Sequence, residues 1–433
     1  MSPDEDSANP IQRGKSAGAM APNRRQVIAG VAGFAISAPF VVTAKAAPAT
    51  IPVGVVVGLT GRSAPWGIPV ADATRLAIDM VNKSGGIKSK EGAKLELFVA
   101  DHQSNPQMAG TQTERLIQTA GVLAVFGNAV SGATMVGSAA ADRNKTPLIS
   151  TDSGDTLSSR GLKYYFRIGA RTSLLSQTAI DFAKSMAETT KVVPKSVAIL
   201  ADDTTFSQDA ANGLVKALKG TDWPLFDNIS FPAGNVGDFS PIIQRLKLNG
   251  VDLFLQATTA PDGIQILQAC KALDYNPIAS LHVLGAPYTP EFASNAKATG
   301  NYITDAVGYV PELVNSNPKI AEFGRIYKET YNRNLDDQAS LAVNGVGILL
   351  DALERAPTLD REAITKALRE TDLEVGSNPF IVRDGVKFSE AGDNMRAKAL
   401  VMQIIDQQQR IVFPQTLATV KAVWPMPKWA ARV

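Results

Sequence analysis

The chain has 433 residues, of which 45% are hydrophobic, with 43 basic and 41 acidic side chains. That length suits two or three domains with a sizeable core, and near-balanced charge without a basic run argues against nucleic acid as a partner. The single cysteine, Cys270, excludes an internal disulfide or a cysteine metal cluster. Two histidines, His102 and His282, cannot build a histidine-rich metal site, so neither a metal nor a cofactor is expected.

From the N-terminus, Arg24 and Arg25 precede an apolar run, Val27 to Val42, and Ala44-Lys45-Ala46 follows as a small-x-small patch. Basic, apolar and cleavage regions in that order form an export signal. The paired arginines point to the twin-arginine route, although Val27 and Ile28 stand where that signal usually carries Phe and Leu. The apolar run is short for a spanning helix, which needs about 20 residues. A cleaved leader over residues 1–46 is therefore expected, with an uncleaved anchor or a buried helix as the other readings. Five basic and three acidic residues fall within it, so the remaining chain is neutral.

"IPVGVVVGL" (51–59) has the β-branched, continuous apolar character of a buried strand. Val70, Ala73, Ala77, Ile78 and Val81 then recur at helical spacing up to Gly85-Gly86. Strand "KLELFVAD", helix 107–120, strand "VLAVFG", helix 132–144 and strand "TPLIS" continue the alternation. Strand–helix alternation predicts a parallel sheet covered by helices. After "YYFRIGAR" the pattern restarts. It runs through strand 196–202, helix 208–219, strand "FDNISF", a helix from Ser240-Pro241, strand "VDLFLQA", helix 262–273 and strand "SLHVLG". Helices 318–331 and 338–355 follow, and two apolar runs near the end predict a hairpin around Gln407-Gln408. Cys270 falls on a helical pattern as a buried small hydrophobe. Two α/β units in series predict two lobes with a cleft between them.

Ligands of open α/β sheets gather at the carboxyl ends of strands, so the loops there hold the candidate residues. In "GNAVSGATMV", Ser131 is placed to cap the next helix. Its hydroxyl and the N–H groups of Ala133 and Thr134 could hold a carboxylate, or form a plain cap. In "ISTDSGDTL", Asp152, Ser153 and Gly154 make a second polar loop, or a simple turn. Trp66, in a loop after the first strand, either covers the cleft or packs on its own lobe. Phe206 sits in the equivalent loop of the second unit. There is no GxGxxG or P-loop, and the G-x-S-x-G spacing fails at Ser131. Asp202-Asp203 and Asp336-Asp337 read as caps rather than acid–base pairs. No catalytic constellation is visible, and the chain is read as a non-enzyme.

"IPVGVVVGLTGRSAPWG", "GNAVSGAT", "PLIST", "YYFRIGARTSLLSQ", "ADDTTFSQDAANGLVKALK" and the tail "GVKFSEAGDN…ALVMQIIDQQQRIVFP" together resemble the periplasmic leucine/isoleucine/valine-binding proteins. These are the solute receptors of branched-chain amino acid ABC importers. The resemblance runs from about Ile51 to Pro427. It implies a type I periplasmic binding protein: an α/β chain of two Rossmann-like lobes with parallel-sheet cores, joined by three hinge crossovers. The crossovers are expected near 168–171, 307–311 and 379–384, giving lobe 1 as 51–170 plus 311–380 and lobe 2 as 171–307 plus 384–433. It also implies a periplasmic monomer that takes a small ligand to a membrane ABC permease; a ligand-sensing module of a signalling system is the alternative. The family's carboxylate site maps onto Ser131, with Ala129 beside it, and onto Asp152, Ser153 and Gly154. Trp66 matches an aromatic over the ligand side chain, and Phe206 stands where the family has Tyr. In the second lobe the match departs. The family's ammonium-holding acid falls at Ala286 or Pro287 in "GAPYTPE", a family Tyr falls near Thr259, and Asp152 replaces a small uncharged residue. The ligand is then either an amino acid whose ammonium meets Asp152 or Asp262, or a molecule without the amine, such as another carboxylate (an aromatic one included) or an amide; Asp152 in that loop would repel an anion.

Overall fold

The computed structural model describes residues 50–316 and 318–432; the expected leader lies outside them. The first lobe's sheet contains β1 (Thr50–Val57), β2 (Lys94–Asp101), β3 (Val125–Asn128), β4 (Leu148–Ser150) and β5 (Tyr165–Arg167). They run parallel in the order β2-β1-β3-β4-β5. α1 (Ala64–Lys83), α2 (Pro106–Thr119) and α3 (Ser131–Arg143) are its crossover helices. α4 (Thr172–Thr190) then leads into β6 (Val197–Asp202), α5 (Thr205–Leu218), β7 (Leu225–Phe231), α6 (Ser240–Leu248), β8 (Leu253–Ala257), α7 (Ala260–Ala272), β9 (Ala279–Val283), α8 (Pro290–Ala296) and β10 (Thr304–Val307). These strands repeat the same parallel order, β7-β6-β8-β9-β10.

The chain then supplies α9 (Pro318–Tyr331), α10 (Asp337–Arg355) and α11 (Arg361–Arg369), and a small ladder of β11 (Asp372–Leu373) with β12 (Val386–Lys387). It ends in β13 (Leu400–Ile405) and β14 (Gln408–Phe413), which extend the second sheet antiparallel beyond β10. The hairpin turn falls at Asp406-Gln407, both at positive φ, one residue before the expected centre.

Parallel strands buried on both faces need apolar side chains on both, and β1 has them. Ile51, Val53, Val55 and Val57 meet α1, α10 and α11 in one cluster, while Val56 meets Leu116, Ile117 and Ala141 of α2 and α3 in another. α10 is buried along most of its length. In the second lobe, Val197, Ile199 and Leu255 pack on α4 and α5, and Ala198, Leu200 and Phe254 pack on α6 and α7. Cys270 is buried there, its thiol pushed up to about 12 by desolvation. The first lobe's cluster also takes in Phe380, Ile381, Val382, Val386 and Phe388. Val386 and Phe388, expected in lobe 2, therefore pack in the core of lobe 1.

Gly67 sets how α1 meets β1. A Cβ there would lie 2.1 Å from the carbonyl oxygen of Gly58, so the helix backbone rests directly on the end of the strand. Gly67→Ala is expected to force α1 away and to lower unfolding free energy by about 1–3 kcal/mol, read from urea denaturation.

Both histidines are buried beneath the strand ends and are held neutral. Desolvation lowers the His102 pKa and pushes His282 down to about 3. The unfolded chain takes up the His282 proton near pH 6.5 and the folded one does not. Stability is therefore lost as pH falls through that window, by about 2 kcal/mol between pH 6.5 and 5 at about 1.4 kcal/mol per unit. His282→Asn is expected to flatten this part of the slope in urea unfolding at pH 7 and 5.

Candidate ligand cleft

A cleft of about 390 Å³ opens where the carboxyl ends of the two sheets face each other, the place where strand order reverses in both lobes. Its walls come from both lobes. Arg62, Ser63 and Trp66 enter from the β1–α1 connection, Ala129 to Ala133 from the start of α3, and Asp152 and Ser153 from the loop after β4. Opposite them stand Asp203 to Ser207, Thr258, Thr259, Leu284 and Tyr288, with Gln338 arriving at the start of α10.

Asp152 is the polar centre of the first wall. It is 4% exposed. Its Oδ1 accepts the Ser131 hydroxyl at 2.6 Å and the Gly154 N–H at 3.1 Å, and its Oδ2 accepts the Thr134 hydroxyl at 3.0 Å. The carboxylate thus sits at the positive end of α3, where a helix offers unpaired donors. Ser131 is not the expected cap: α3 begins at Ser131 itself, Val130 holds the cap position, and no side chain caps it. The hydroxyl turns outward because a charged acceptor outcompetes its own backbone. Ala129, before it, holds a left-handed φ of 69°, a conformation that L-residues adopt at a cost and that clusters at ligand sites.

Arg167, fully buried, fixes the Asp152 loop from behind. Its Nη1 donates to the Ser153 carbonyl at 2.8 Å, its Nη2 to Ser158 Oγ at 2.7 Å, and its Nε pairs with Asp393 at 3.0 Å. In the opposite wall, Asp202 accepts from the N–H groups of Thr204 and Thr259 and so ties two second-lobe loops together. Thr259 caps no backbone group of α7 and donates to Asp262 at 3.1 Å. Asp336 caps α10 through Ala339 N–H, and Asp337 pairs with Arg383 at 2.8 Å.

Aromatic rings supply the apolar part. Trp66 lies in the first turn of α1 rather than in a loop. It is half-buried, packing on the first lobe's core and also on the cluster that contains Tyr288. Trp66 thus packs on its own lobe and also lines the cleft. Phe206 lies in the first turn of α5 and faces the same cleft.

Hydrogen bonds also join the lobes beside the cleft. Arg62 Nη1 donates to the Ala233 carbonyl at 2.9 Å, with Asp262 at 3.9 Å, and Gly234 lies against its guanidinium. On the other side Thr156 donates through its N–H and hydroxyl to Asp209, at 2.9 and 2.6 Å.

Among the expected residues, Trp66, Ala129, Ser131, Asp152, Ser153, Phe206 and Thr259 line one cleft. Gly154 lies behind it and spends its N–H on Asp152. Pro287 does not line it: it sits in a 3-10 turn with its carbonyl accepting from Gln409, and the adjacent Tyr288 ring takes the wall position. Arg62, Thr258 and Gln338 were not singled out from the sequence. Arg62 stood in a quoted motif, but nothing in "GRS" marks an arginine that reaches the other lobe. Gln338 begins a helix more than 130 residues after Phe206, and no local pattern links the two. Among the described residues no cluster of His, Cys, Asp or Glu suits a metal ion, and no helix is long and apolar enough to cross a membrane.

Comparison with known proteins agrees with this geometry. The Leu/Ile/Val-binding protein homolog 7 of Brucella melitensis is 28% identical over 393 residues, covering 87% of this chain and 94% of the relative. Homolog 8 of Brucella abortus is 27% identical over 387 residues, covering 87% and 93%. The leucine-binding protein LivK of Thermotoga maritima superposes with a TM-score of 0.73 at 21% identity, over 84% of this chain and 97% of that one. LivJ of Streptococcus pneumoniae, solved with isoleucine, gives 0.72 at 22%, over 84% and 100%. A solute-binding protein of Rhodopseudomonas palustris, solved with 3,4-dihydroxybenzoic acid, gives 0.71 at 20%, over 87% and 98%. At these identities the structures share the fold: two α/β lobes with parallel-sheet cores. The family model for periplasmic binding proteins matches residues 50–409, and the chain belongs to that family.

Proposed function

We propose that this protein captures one small molecule between its lobes, with the apolar part against Trp66 and Phe206, and delivers it to the membrane permease of an ABC importer. The observation that supports this reading is the cleft walled from both lobes at the carboxyl ends of both sheets, of a size that buries a small solute. Lobe 1 (51–170 plus 311–388) and lobe 2 (171–307 plus the tail) would move as two bodies about the three crossovers. Ser131 donates to Asp152 and neither histidine lines the cleft, so the site is read as a receptor without turnover. The two-arginine leader is read as a cleaved export signal, and mass spectrometry of the mature N-terminus tests it.

Native mass spectrometry of protein purified from its own host is expected to show one small co-purifying molecule. Adding that molecule should raise the melting temperature, since a ligand that binds only the folded state stabilises it, and should change Trp66 fluorescence. Stabilisation with an unchanged Trp66 signal would move the site out of this cleft.

A further inference from the structure

The chemistry of the cleft is lopsided. Its one lining cation, Arg62, is engaged with the Ala233 carbonyl and lies 3.9 Å from Asp262. Against it stand two lining carboxylates, Asp152 and Asp203. The strongest anion seat in the first wall is the end of α3, with the Ser131 and Thr134 hydroxyls and the Gly154 N–H, and the chain's own Asp152 carboxylate already fills it. A second carboxylate brought there would meet a like charge and find those three donors spent.

The remaining polar groups ask for the opposite chemistry. Gln338 and Thr258 line the cleft and are 4% and 3% exposed, and the Gln338 Oε1 and the Thr258 hydroxyl are buried with no partner in the protein. A buried polar group without a partner is costly, and Gln338 Oε1 can only accept. Asp152 also retains lone pairs beyond the three bonds it accepts.

We propose that the head group seated at the α3 end is a nitrogen donor, a primary amide or amine, and that Asp152 selects it against carboxylates of the same shape. This rests on the reading of the cleft as the solute site. The N–H groups would donate to Asp152 and Gln338, and the apolar body would lie between Trp66 and Phe206.

The test uses the whole protein and two matched series: isovaleramide, isoamylamine and isovalerate, and benzamide, benzylamine and benzoate. Calorimetry and thermal shift are expected to show amide or amine binding at least tenfold tighter than the carboxylate of the same body. Asp152→Ala frees Ser131, Thr134 and Gly154 and is expected to invert that order; Asp152→Ser, which keeps a polar group in the loop, guards against a folding defect. Wild-type protein that prefers isovalerate or benzoate overturns the proposal while leaving the cleft as the site. Binding of any head group that survives Trp66→Ala unchanged counts against the cleft reading instead. If no member of either series binds, the head-group proposal fails, and the cleft reading is decided by the co-purifying molecule and its effect on Trp66.

Discussion

Arg167→Met is expected to lower the unfolding free energy by about 3–5 kcal/mol, the cost of removing one partner from a buried ion pair. Three things fail together. Asp393, mostly buried, loses the nearer of its two guanidinium partners, at 3.0 Å, and keeps only the half-exposed Arg171 at 3.7 Å. The Ser153 carbonyl and the Ser158 hydroxyl lose their donors. Met is shorter in polar reach and donates nothing, so no relaxation restores these bonds. Urea unfolding at pH 7 checks the figure, and a loss under 1 kcal/mol would mean that solvent replaces the guanidinium. Because Arg167 acts on the backbone of the cleft loop, ligand affinity is expected to fall as well, even in the fraction that stays folded.

The second large effect is on binding. Trp66→Ala is expected to weaken the ligand by about 2 kcal/mol or more, as for other aromatic anchors, which is about thirtyfold in Kd. The ring lies against the cores of both lobes, so its loss removes contact area and part of the surface on which the lobes meet. Phe206→Ala is expected to lose less, because Phe206 lines one wall only. Isothermal calorimetry of the two variants separates these contributions.

Much of the fold was legible because the strands are short, apolar and separated by helices with regular spacing. "IPVGVVVGL" became β1 and "KLELFVAD" became β2 to within a residue or two. What escaped was the part whose identity depends on distant partners. β5 and β10 are short strands that register only beside β4 and β9. Helix α4 carries an apolar stripe, Leu175, Ala179, Phe182, Ala183 and Met186, set among many Ser and Thr residues, and α8 is a single short element. Trp66 was expected in a loop because Pro65 and Gly67 look like breakers; Pro in the first turn and Gly against Gly58 are what this helix start needs. The loops of the cleft were found from strand ends alone. Their hydrogen bonding was not, since nothing in "TDSGD" says that Asp152 will take the donors of Ser131 and Thr134.

The interleaving of the two cores bears on the order of synthesis. The sheet of the first lobe is complete once β5 leaves the ribosome, yet one of its faces is covered by α10, α11 and residues 380–388, which emerge only after the entire sheet segment up to β10. Until then Val53, Val55 and Phe126 have half their partners. The amino-terminal half of the polypeptide must therefore wait, with an apolar face only partly covered by α1, for its carboxyl-terminal half. A chain stopped near residue 310 would remain a client for chaperones however well its individual strands read.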